Sequence, residues 1–258
     1  MTALTEILAA MTPVDDGWSG AIPADWMQGR TSYGGLSAAM ALHAAQRCEP
    51  DLPPLRSAQI AFIGPLAGPV TVTATKLRRG RTAAFVQADV VSDAGLGLRA
   101  TFVFMADQPS VVDFDQRAPV GHRPPAPGTK LWSGPEGFFA HNFEFLDMKD
   151  ESLRPADLLR WGRMKAHDGI DPMVHVMAIA DGLPPSAIRL FGKQIGPISS
   201  LTWIINLLTP APVTTDGWWL LGAKSDFARN GCSSQTMTLH NADGVLMAEG
   251  MQSVAIFG

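Results

Sequence analysis

The sequence predicts an α+β fold built from two tandem copies of one domain, each an antiparallel sheet wrapped around a central helix. The passage at 55–104 returns roughly 145 to 150 residues later, at 198–257. An apolar helical segment precedes each passage, at 36–48 and at 172–181. Both passages keep one order of a strand ending in Pro, a Gly turn and a hairpin loop: Pro65, Gly80 and 93–95, then Pro210, Gly231 and 243–244.

The elements of the first copy follow from hydrophobic pattern and turn residues. A short amphipathic helix is predicted at 5–11 and a strand at 18–23. The Gly-rich stretch 29–35 is predicted to be a loop, followed by the Ala-rich helix 36–48, whose small side chains allow a sheet to enclose it closely. Alternation and β-branched residues then predict four strands, at 55–63, 70–77, 82–92 and 96–105.

A proline-rich segment separates the two copies. Six prolines and no hydrophobic periodicity at 108–137 predict a linker laid over the surface. The chain is therefore divided into an N-terminal copy at 1–107, the linker at 108–137 and a C-terminal copy at 138–258.

The second copy repeats the pattern of the first. Strands are predicted at 138–148 and 158–165. Asp171 and Pro172 mark the start of the helix 172–181, because Asp caps a helix and Pro fits its first turn. Four further strands are predicted at 198–208, 217–227, 233–241 and 245–257.

Composition argues against several classes of function. With 46% apolar and 17% charged residues the chain is typical of a globular protein, and a net charge of −4 gives no reason to expect a nucleic-acid partner. The two cysteines and six scattered histidines form no ligand spacing, so we expect no metal and no cofactor. The N-terminus does not resemble a secretory signal and no apolar stretch approaches bilayer length, so we expect no membrane partner and a cytoplasmic location.

Two residues stand out as candidates for chemistry. Asp181 ends the apolar run 173–180, where the helix macrodipole disfavours a negative charge, so its pKa is expected to suit a general base. The alternative is an exposed Asp that turns the chain into Gly182. Gln252 lies in an otherwise mostly apolar strand, where a buried amide needs partners for both of its groups. Its alternative is an outward-facing side chain.

Four segments carry a resemblance that covers nearly the whole chain outside the linker: GRTSYGGLSAAMALHAA, LRSAQIAFIGP, GPVTVTATKLRRGR and ADGVLMAEGMQ. In this order and spacing they resemble the acyl-CoA thioesterase II type of double hot-dog protein. The resemblance implies that the chain hydrolyses acyl-CoA thioesters to free acid and CoA with a base-activated water. It also implies that acyl-CoA is the partner of the chain.

The same resemblance implies a catalytic set in the second copy. It places the family's catalytic Asp at Asp181 and its Gln at Gln252. The third member is a Thr at the start of the strand after the helix, and counting back from the proline that closes this strand puts Ser200 there, with Ser199 and Thr202 as close alternatives. The helix and last strand of the first copy carry no matching acid or Gln.

The first copy is expected to contribute to substrate binding. Gly34 and Gly35 can offer unhindered backbone N–H groups to a thioester oxygen, or they can simply form the turn into the helix. The basic cluster that includes Arg78, Arg79 and Arg81 is a candidate contact for the CoA phosphates, with a solvated turn as the alternative.

Two other functions are open at this point. One is an acyl-CoA hydratase or dehydratase of the same fold, which needs an Asp/His pair; His175 lies six residues before Asp181 and not on one helix face with it. The other is a non-catalytic protein that binds acyl-CoA or a lipid. Two fused copies already form the pair that a single copy lacks, so the chain is expected to be a monomer or a homo-oligomer.

Overall fold

The computed structural model describes residues 1–192 and 196–257. Its three α-helices are α1 (Leu4–Ala9), α2 (Gly34–Arg47) and α3 (Pro172–Ala180). The first copy holds the strands β1 (Thr12–Val14), β2 (Gly17–Ile22), β3 (Met27–Gln28), β4 (Thr31–Ser32), β5 (Leu55–Phe62), β6 (Gly68–Arg79), β7 (Ala83–Ser92) and β8 (Gly95–Met105). The second holds β9 (Phe143–Asp147), β10 (Asp157–Met164), β11 (Ile198–Leu207), β12 (Trp219–Arg229), β13 (Cys232–His240) and β14 (Leu246–Ile256).

Twelve of these strands form one antiparallel sheet, in the order β1-β2-β6-β7-β8-β5-β11-β14-β13-β12-β10-β9. The two copies join in the middle, between β5 and β11. In that ladder Gln59 pairs with Ile204, 145 positions further along the chain. This spacing falls within the offset of roughly 145 to 150 residues at which the sequence repeats, so equivalent strands of the two copies pair with each other here.

The central helices lie on the inner side of the curved sheet and pack against each other. All the alanines of α2 are inaccessible to solvent, as are most side chains of α3. The small side chains of α2 allow its axis to lie close to the sheet and to α3. Burial of apolar area stabilises this packing. The predicted α+β architecture, a sheet around a central helix in each copy, is confirmed.

The structure corrects three local predictions. The helix α2 begins at Gly34, not at residue 36, and the stretch predicted as a loop contains the short strand β4, which pairs with β3. The strand predicted at 138–148 begins with a 3₁₀ turn, Phe139–Asn142, before β9. The first difference could not be predicted from the local pattern, because glycine disfavours a helix and the first turn of α2 lies against the other copy.

The segment 108–137 carries no helix and no strand, apart from one isolated bridge between Trp132 and Phe145. It lies against the second copy, where the Val120 amide donates to the Gly244 carbonyl. Its role as a linker, and the division at 107 and 138, stay predictions. Within the described residues no helix is long and apolar enough to cross a membrane.

Both copies have an irregularity at the same place in the sheet. The pairing of β5 with β8 shifts by one residue after Leu55, and the pairing of β11 with β14 shifts after Ser200. These β-bulges turn the following side chains to the opposite face of the strand. The equivalence of the two bulges allows positions in one copy to be matched with positions in the other.

Candidate active site

Asp181 lies where the ends of the two central helices meet. It is the residue that follows α3, and the backbone N–H of the next residue, Gly182, donates to the Ile179 carbonyl at 2.9 Å. The N-terminus of α2 approaches from the other copy, and the backbone N–H of Gly35 hydrogen-bonds to the carboxyl group. The partial positive charge of that helix end offsets part of the unfavourable position at the end of α3.

Burial raises the pKa of Asp181 from its ordinary value of 3.8 to about 7. The cause is desolvation, which disfavours the charged carboxylate, while hydrogen bonds from Gln252 and Gly35 act in the opposite direction. A carboxylate of this kind is a stronger base than an ordinary Asp, and at neutral pH about half of it is still ionised. The raised pKa expected from the helix end therefore has burial as its main physical cause.

Gln252 connects the other members of the site. Its Nε2 donates to Asp181 Oδ1 at 2.8 Å, and its side chain is 1% exposed. Its Oε1 accepts from Ser200 Oγ at 3.2 Å. The outward-facing alternative is excluded, because the amide lies on the inner face of the sheet and both of its groups have partners.

The β-bulge in β11 determines which hydroxyl enters the site. Ser200 and Trp203 both face inward, although they are three positions apart, because the pairing shifts between Ser200 and Thr202. Thr202 is exposed on the outer face, and the Ser199 hydroxyl bonds to the Ser200 carbonyl at 3.4 Å. Of the three candidates, Ser200 is therefore the one whose hydroxyl reaches Gln252.

Gly34 and Gly35 form the first turn of α2, and their lack of a side chain is a steric requirement. A Cβ atom on Gly34 would lie 2.6 Å from Asp181 Oδ2, and one on Gly35 would lie 2.5 Å from the Ala178 carbonyl oxygen. Both distances are shorter than any ordinary contact. The two glycines allow the first copy to bring the backbone N–H of Gly35 against the carboxyl group of the second.

Tyr33 holds the same junction from the side. Its hydroxyl donates to the Ala178 carbonyl at 2.7 Å, and its ring stacks on Phe139 at a centroid distance of 4.2 Å. Burial, and then the charge of Asp181, raise the pKa of this phenol well above 10.0, so it remains a neutral donor. Tyr33 thus fixes the start of α2 relative to the end of α3.

The basic cluster lies elsewhere. Arg79 donates to the Asp51 carbonyl at 3.1 Å, just beyond the C-terminus of α2, whereas Asp181 lies at the N-terminus of that helix. A helix of 14 residues is about 20 Å long. The structure therefore does not bring Arg78, Arg79 and Arg81 to Asp181, and their contact with CoA phosphates stays a prediction.

A cleft of about 470 Å³ lies at that same far end of the helix pair. Leu55, Phe104 and Met173 contribute to its lining, together with the side chains of Gln46 and Asp171. The molecule thus has a polar, hydrogen-bonded end at Asp181 and a more open, mainly apolar end across from it.

The sequence analysis missed three residues that extend the site. Gln235 Nε2 donates to Gln252 Oε1 at 2.8 Å, and Gln235 Oε1 accepts from the Ser186 backbone N–H at 2.7 Å. The hydroxyls of Ser186 and Ser225 are 2.8 Å apart. A signal was available, because alternation along β13 puts Gln235 on the same face as the apolar Met237 and Leu239, where a polar side chain is unexpected.

Comparison with solved structures supports the hot-dog fold. A putative thioesterase II from Thermobifida fusca is 18% identical with a TM-score of 0.84, over 100% of this chain and 98% of its own. The tesB protein of Mycobacterium avium subs paratuberculosis is 20% identical with a TM-score of 0.78, over 100% of both chains. The dehydratase domain of RzxB from Pseudomonas fluorescens is more distant, at 10% identity and a TM-score of 0.57, over 98% of this chain and 99% of its own. At these identities the likeness establishes the double hot-dog fold and not the reaction.

Family models identify the chain more closely. The model of the acyl-CoA thioesterase N-terminal domain matches residues 22–105. The model of the C-terminal domain matches residues 114–256, more than half of the chain, and includes Asp181, Ser200 and Gln252. A search of curated protein sequences gave no match. On the two family matches the chain belongs to the acyl-CoA thioesterases, the thioester hydrolases that the sequence resemblance had indicated.

Proposed function

We propose that this protein hydrolyses acyl-CoA thioesters by general-base catalysis, with Asp181 as the base. The observation that carries the proposal is the continuous hydrogen-bonded set of Asp181, Gln252 and Ser200 at the junction of the two copies. A base with a pKa near 7, two neutral polar groups and a helix N-terminus are the parts that water-dependent acyl transfer needs.

In the proposed reaction a water molecule bound to Asp181 and the Ser200 hydroxyl attacks the thioester carbonyl carbon. Asp181 accepts one proton from this water as the C–O bond forms. The negative charge that develops on the carbonyl oxygen is stabilised by a backbone N–H group at the start of α2. Because the Gly35 N–H faces Asp181, we assign this role to Gly34.

The tetrahedral intermediate then collapses, and the C–S bond breaks. The proton held by Asp181 passes to the CoA thiolate, which leaves as the free thiol, and the acyl group leaves as the acid. Gln252 keeps the carboxyl group oriented through both steps. The proposed steps use no covalent acyl-enzyme and no metal ion.

The first test is release of free thiol from a panel of acyl-CoA esters of different chain length. We expect turnover with at least one of them, with kcat/KM rising through about pH 7 as Asp181 loses its proton.

Replacing Gln252 by Ala should lower kcat about 100-fold in the same assay. Cys232 is a free, exposed thiol, so the enzyme is used at catalytic concentration with a substrate-free blank.

A dehydratase or hydratase is the second candidate, because the RzxB dehydratase domain shares the fold. The contacts of His175 argue against it: this ring packs edge-on against Trp219 at 5.7 Å, and burial lowers its pKa to about 4. Loss of enoyl absorbance from a crotonyl-type thioester without release of thiol would favour this candidate. Binding of acyl-CoA with no turnover at any chain length would favour a non-catalytic binding protein.

The cytoplasmic location and the choice between monomer and homo-oligomer stay predictions.

Replacing Ser200 by Ala should lower kcat about tenfold, because the variant loses one hydrogen bond to Gln252 and one contact to water. The matched control is Ser199→Ala, whose hydroxyl bonds to the chain beside it and not to Gln252. Ser200→Thr keeps the hydroxyl and should retain most of the rate. Equal losses in Ser199→Ala and Ser200→Ala would contradict the assignment of Ser200.

A further inference from the structure

A row of polar side chains crosses the inner face of the sheet behind the proposed site. Ser225, Gln235 and Gln252 lie directly opposite one another on β12, β13 and β14. All three are buried, and the exposed fraction of each glutamine is 1%. Buried amides in an apolar sheet are costly unless all of their groups are paired. The hydrogen-bond partners of these side chains therefore indicate the role of the row.

The hydrogen bonds in this row can run in one direction only. A backbone N–H is always a donor, so the group of Gln235 that faces the Ser186 N–H must be its carbonyl oxygen. The NH₂ group of Gln235 then faces Gln252, which must present its own oxygen. That leaves the NH₂ group of Gln252 for Asp181. The orientation of both amides follows from one backbone group.

The first copy provides an internal comparison. In the ladder of the second copy Trp203 pairs with Gln252, which pairs with Gln235. At the equivalent place in the first copy Ala58 pairs with Phe102, which pairs with Val86. Phe102 and Val86 are fully buried and apolar. The fold therefore accepts apolar side chains at these two positions, and the glutamines in the second copy need another explanation.

We infer that Gln235 is a positioning residue that fixes which way the Gln252 amide faces and so keeps an N–H group against the Asp181 carboxyl group. This inference deepens the proposed function and rests on it for the catalytic role of Asp181. Without Gln235, the Gln252 amide can turn over and present its oxygen to the carboxylate. Two acceptors would then face each other, and the ionised form of Asp181 would lose its hydrogen bond.

The groups that face Asp181 are all uncharged, so a change in its pKa after replacement of Gln235 would come from the hydrogen bond with Gln252. Gln252 faces it from β14 and Gly35 from α2, both as neutral donors. Tyr33 faces it from the segment before α2, and its phenol stays neutral. Gln235 itself is surrounded by the uncharged groups of Ser186 and Gln252.

The test begins with Gln235→Met, which keeps the length of the side chain and removes both hydrogen bonds. We expect kcat to fall about 10- to 100-fold with KM changed by less than about twofold. We also expect the acid limb of the pH–rate profile to move to higher pH by about half a unit to one unit, because Asp181 loses a donor. The control is Ser233→Ala, which lies on the same face of β13.

Gln235→Glu keeps the Ser186 anchor and covers the case in which Gln235→Met does not fold. In its protonated form the introduced carboxylic acid can replace the glutamine as donor to Gln252, whereas its ionised form cannot. At low pH we therefore expect Gln235→Glu to have nearly the rate of the wild type at the same pH. As the pH rises, the rate of the variant should fall increasingly below that of the wild type. A merely structural role predicts a lower rate with an unchanged profile in both variants, and that result would overturn the inference.

Titration of the Asp181 carboxyl group by ¹³C NMR separates this inference from the proposed function. If Gln235→Met shifts the titration while the wild-type protein turns over no thioester, Gln235 positions the carboxyl group and the proposed function is wrong. If the wild-type protein is active and depends on Asp181, but Gln235→Met leaves the titration and the profile unchanged, the proposed function stands and the inference about Gln235 is wrong.

Discussion

Replacing Asp181 by Asn is expected to reduce thioester hydrolysis by about a thousandfold or more and, above neutral pH, to make the protein more stable. The loss of activity follows from the loss of the base, since Asn cannot accept a proton from water at any working pH. The gain in stability follows from burial, because the wild-type protein must hold a charge where water is largely excluded. Initial rates and urea unfolding at the same pH values measure the two effects.

The sign of the pH dependence follows from the pKa in the two states. The carboxyl group titrates near 3.8 when unfolded and near 7 when folded, so the folded protein holds a proton that the unfolded chain has released. Asp181 therefore lowers the free energy of unfolding as the pH rises from about 4 to 7, and its contribution between pH 5 and pH 8 is a loss of about 2 to 3 kcal/mol. The buried His43 and His175, whose pKa values are lowered to about 4, change stability in the opposite direction, and they do so in both proteins. The stability of Asp181→Asn relative to the wild type should therefore rise with pH, and a difference that does not change with pH would show that Asp181 has an ordinary pKa.

Replacing Gly35 by Ala is expected to destabilise the protein by about 2 to 3 kcal/mol and to lower kcat at least about 100-fold. In an ordinary helix this change stabilises by up to about 1 kcal/mol, so the sign itself is diagnostic. The new methyl group would meet the Ala178 carbonyl oxygen at 2.5 Å and push the start of α2 away from the end of α3. Urea unfolding and kcat at saturating acyl-CoA check both parts.

Gly34→Ala is the informative partner of this variant. Its methyl group would meet the Asp181 carboxylate and the Phe62 ring, which are side chains and can move further than backbone. We therefore expect a smaller loss of stability than in Gly35→Ala but a comparable loss of activity. Gly121→Ala, at a position with open space around it, is the control for the substitution itself. Unchanged stability in Gly35→Ala would mean that the two copies pack less closely than described.

Much of the architecture could be predicted from the sequence, because strands, turns and buried helices leave local patterns. The order of the elements, the hairpin at 93–95 and the helix beginning after Asp171 follow from periodicity and turn chemistry. Asp181 could be singled out as an acid at the end of an apolar helix. The resemblance to the thioesterase II type then supplied the set of residues, and the family matches confirm that membership.

What could not be predicted depends on register and on contacts between the copies. The inward direction of Ser200 results from a β-bulge, and nothing in the local sequence marks one. The first turn of α2 lies against the end of α3, which belongs to the other copy, and only glycine fits there. The contact between Gln235 and Gln252 requires that two strands pair in one register and that a distant loop supplies the Ser186 amide.

The matched bulges have a consequence for how this protein can change. Leu55 occupies the position equivalent to Ser200, and Phe102 the position equivalent to Gln252, so one chain holds an apolar and a polar version of the same site. The apolar version stabilises the fold, and this stability allows the polar version to hold a buried acid that would be harder to tolerate in an isolated domain. Substitutions that raise thermal tolerance should therefore be sought in the first copy, away from Gly34 and Gly35, which lie against the carboxyl group of the second.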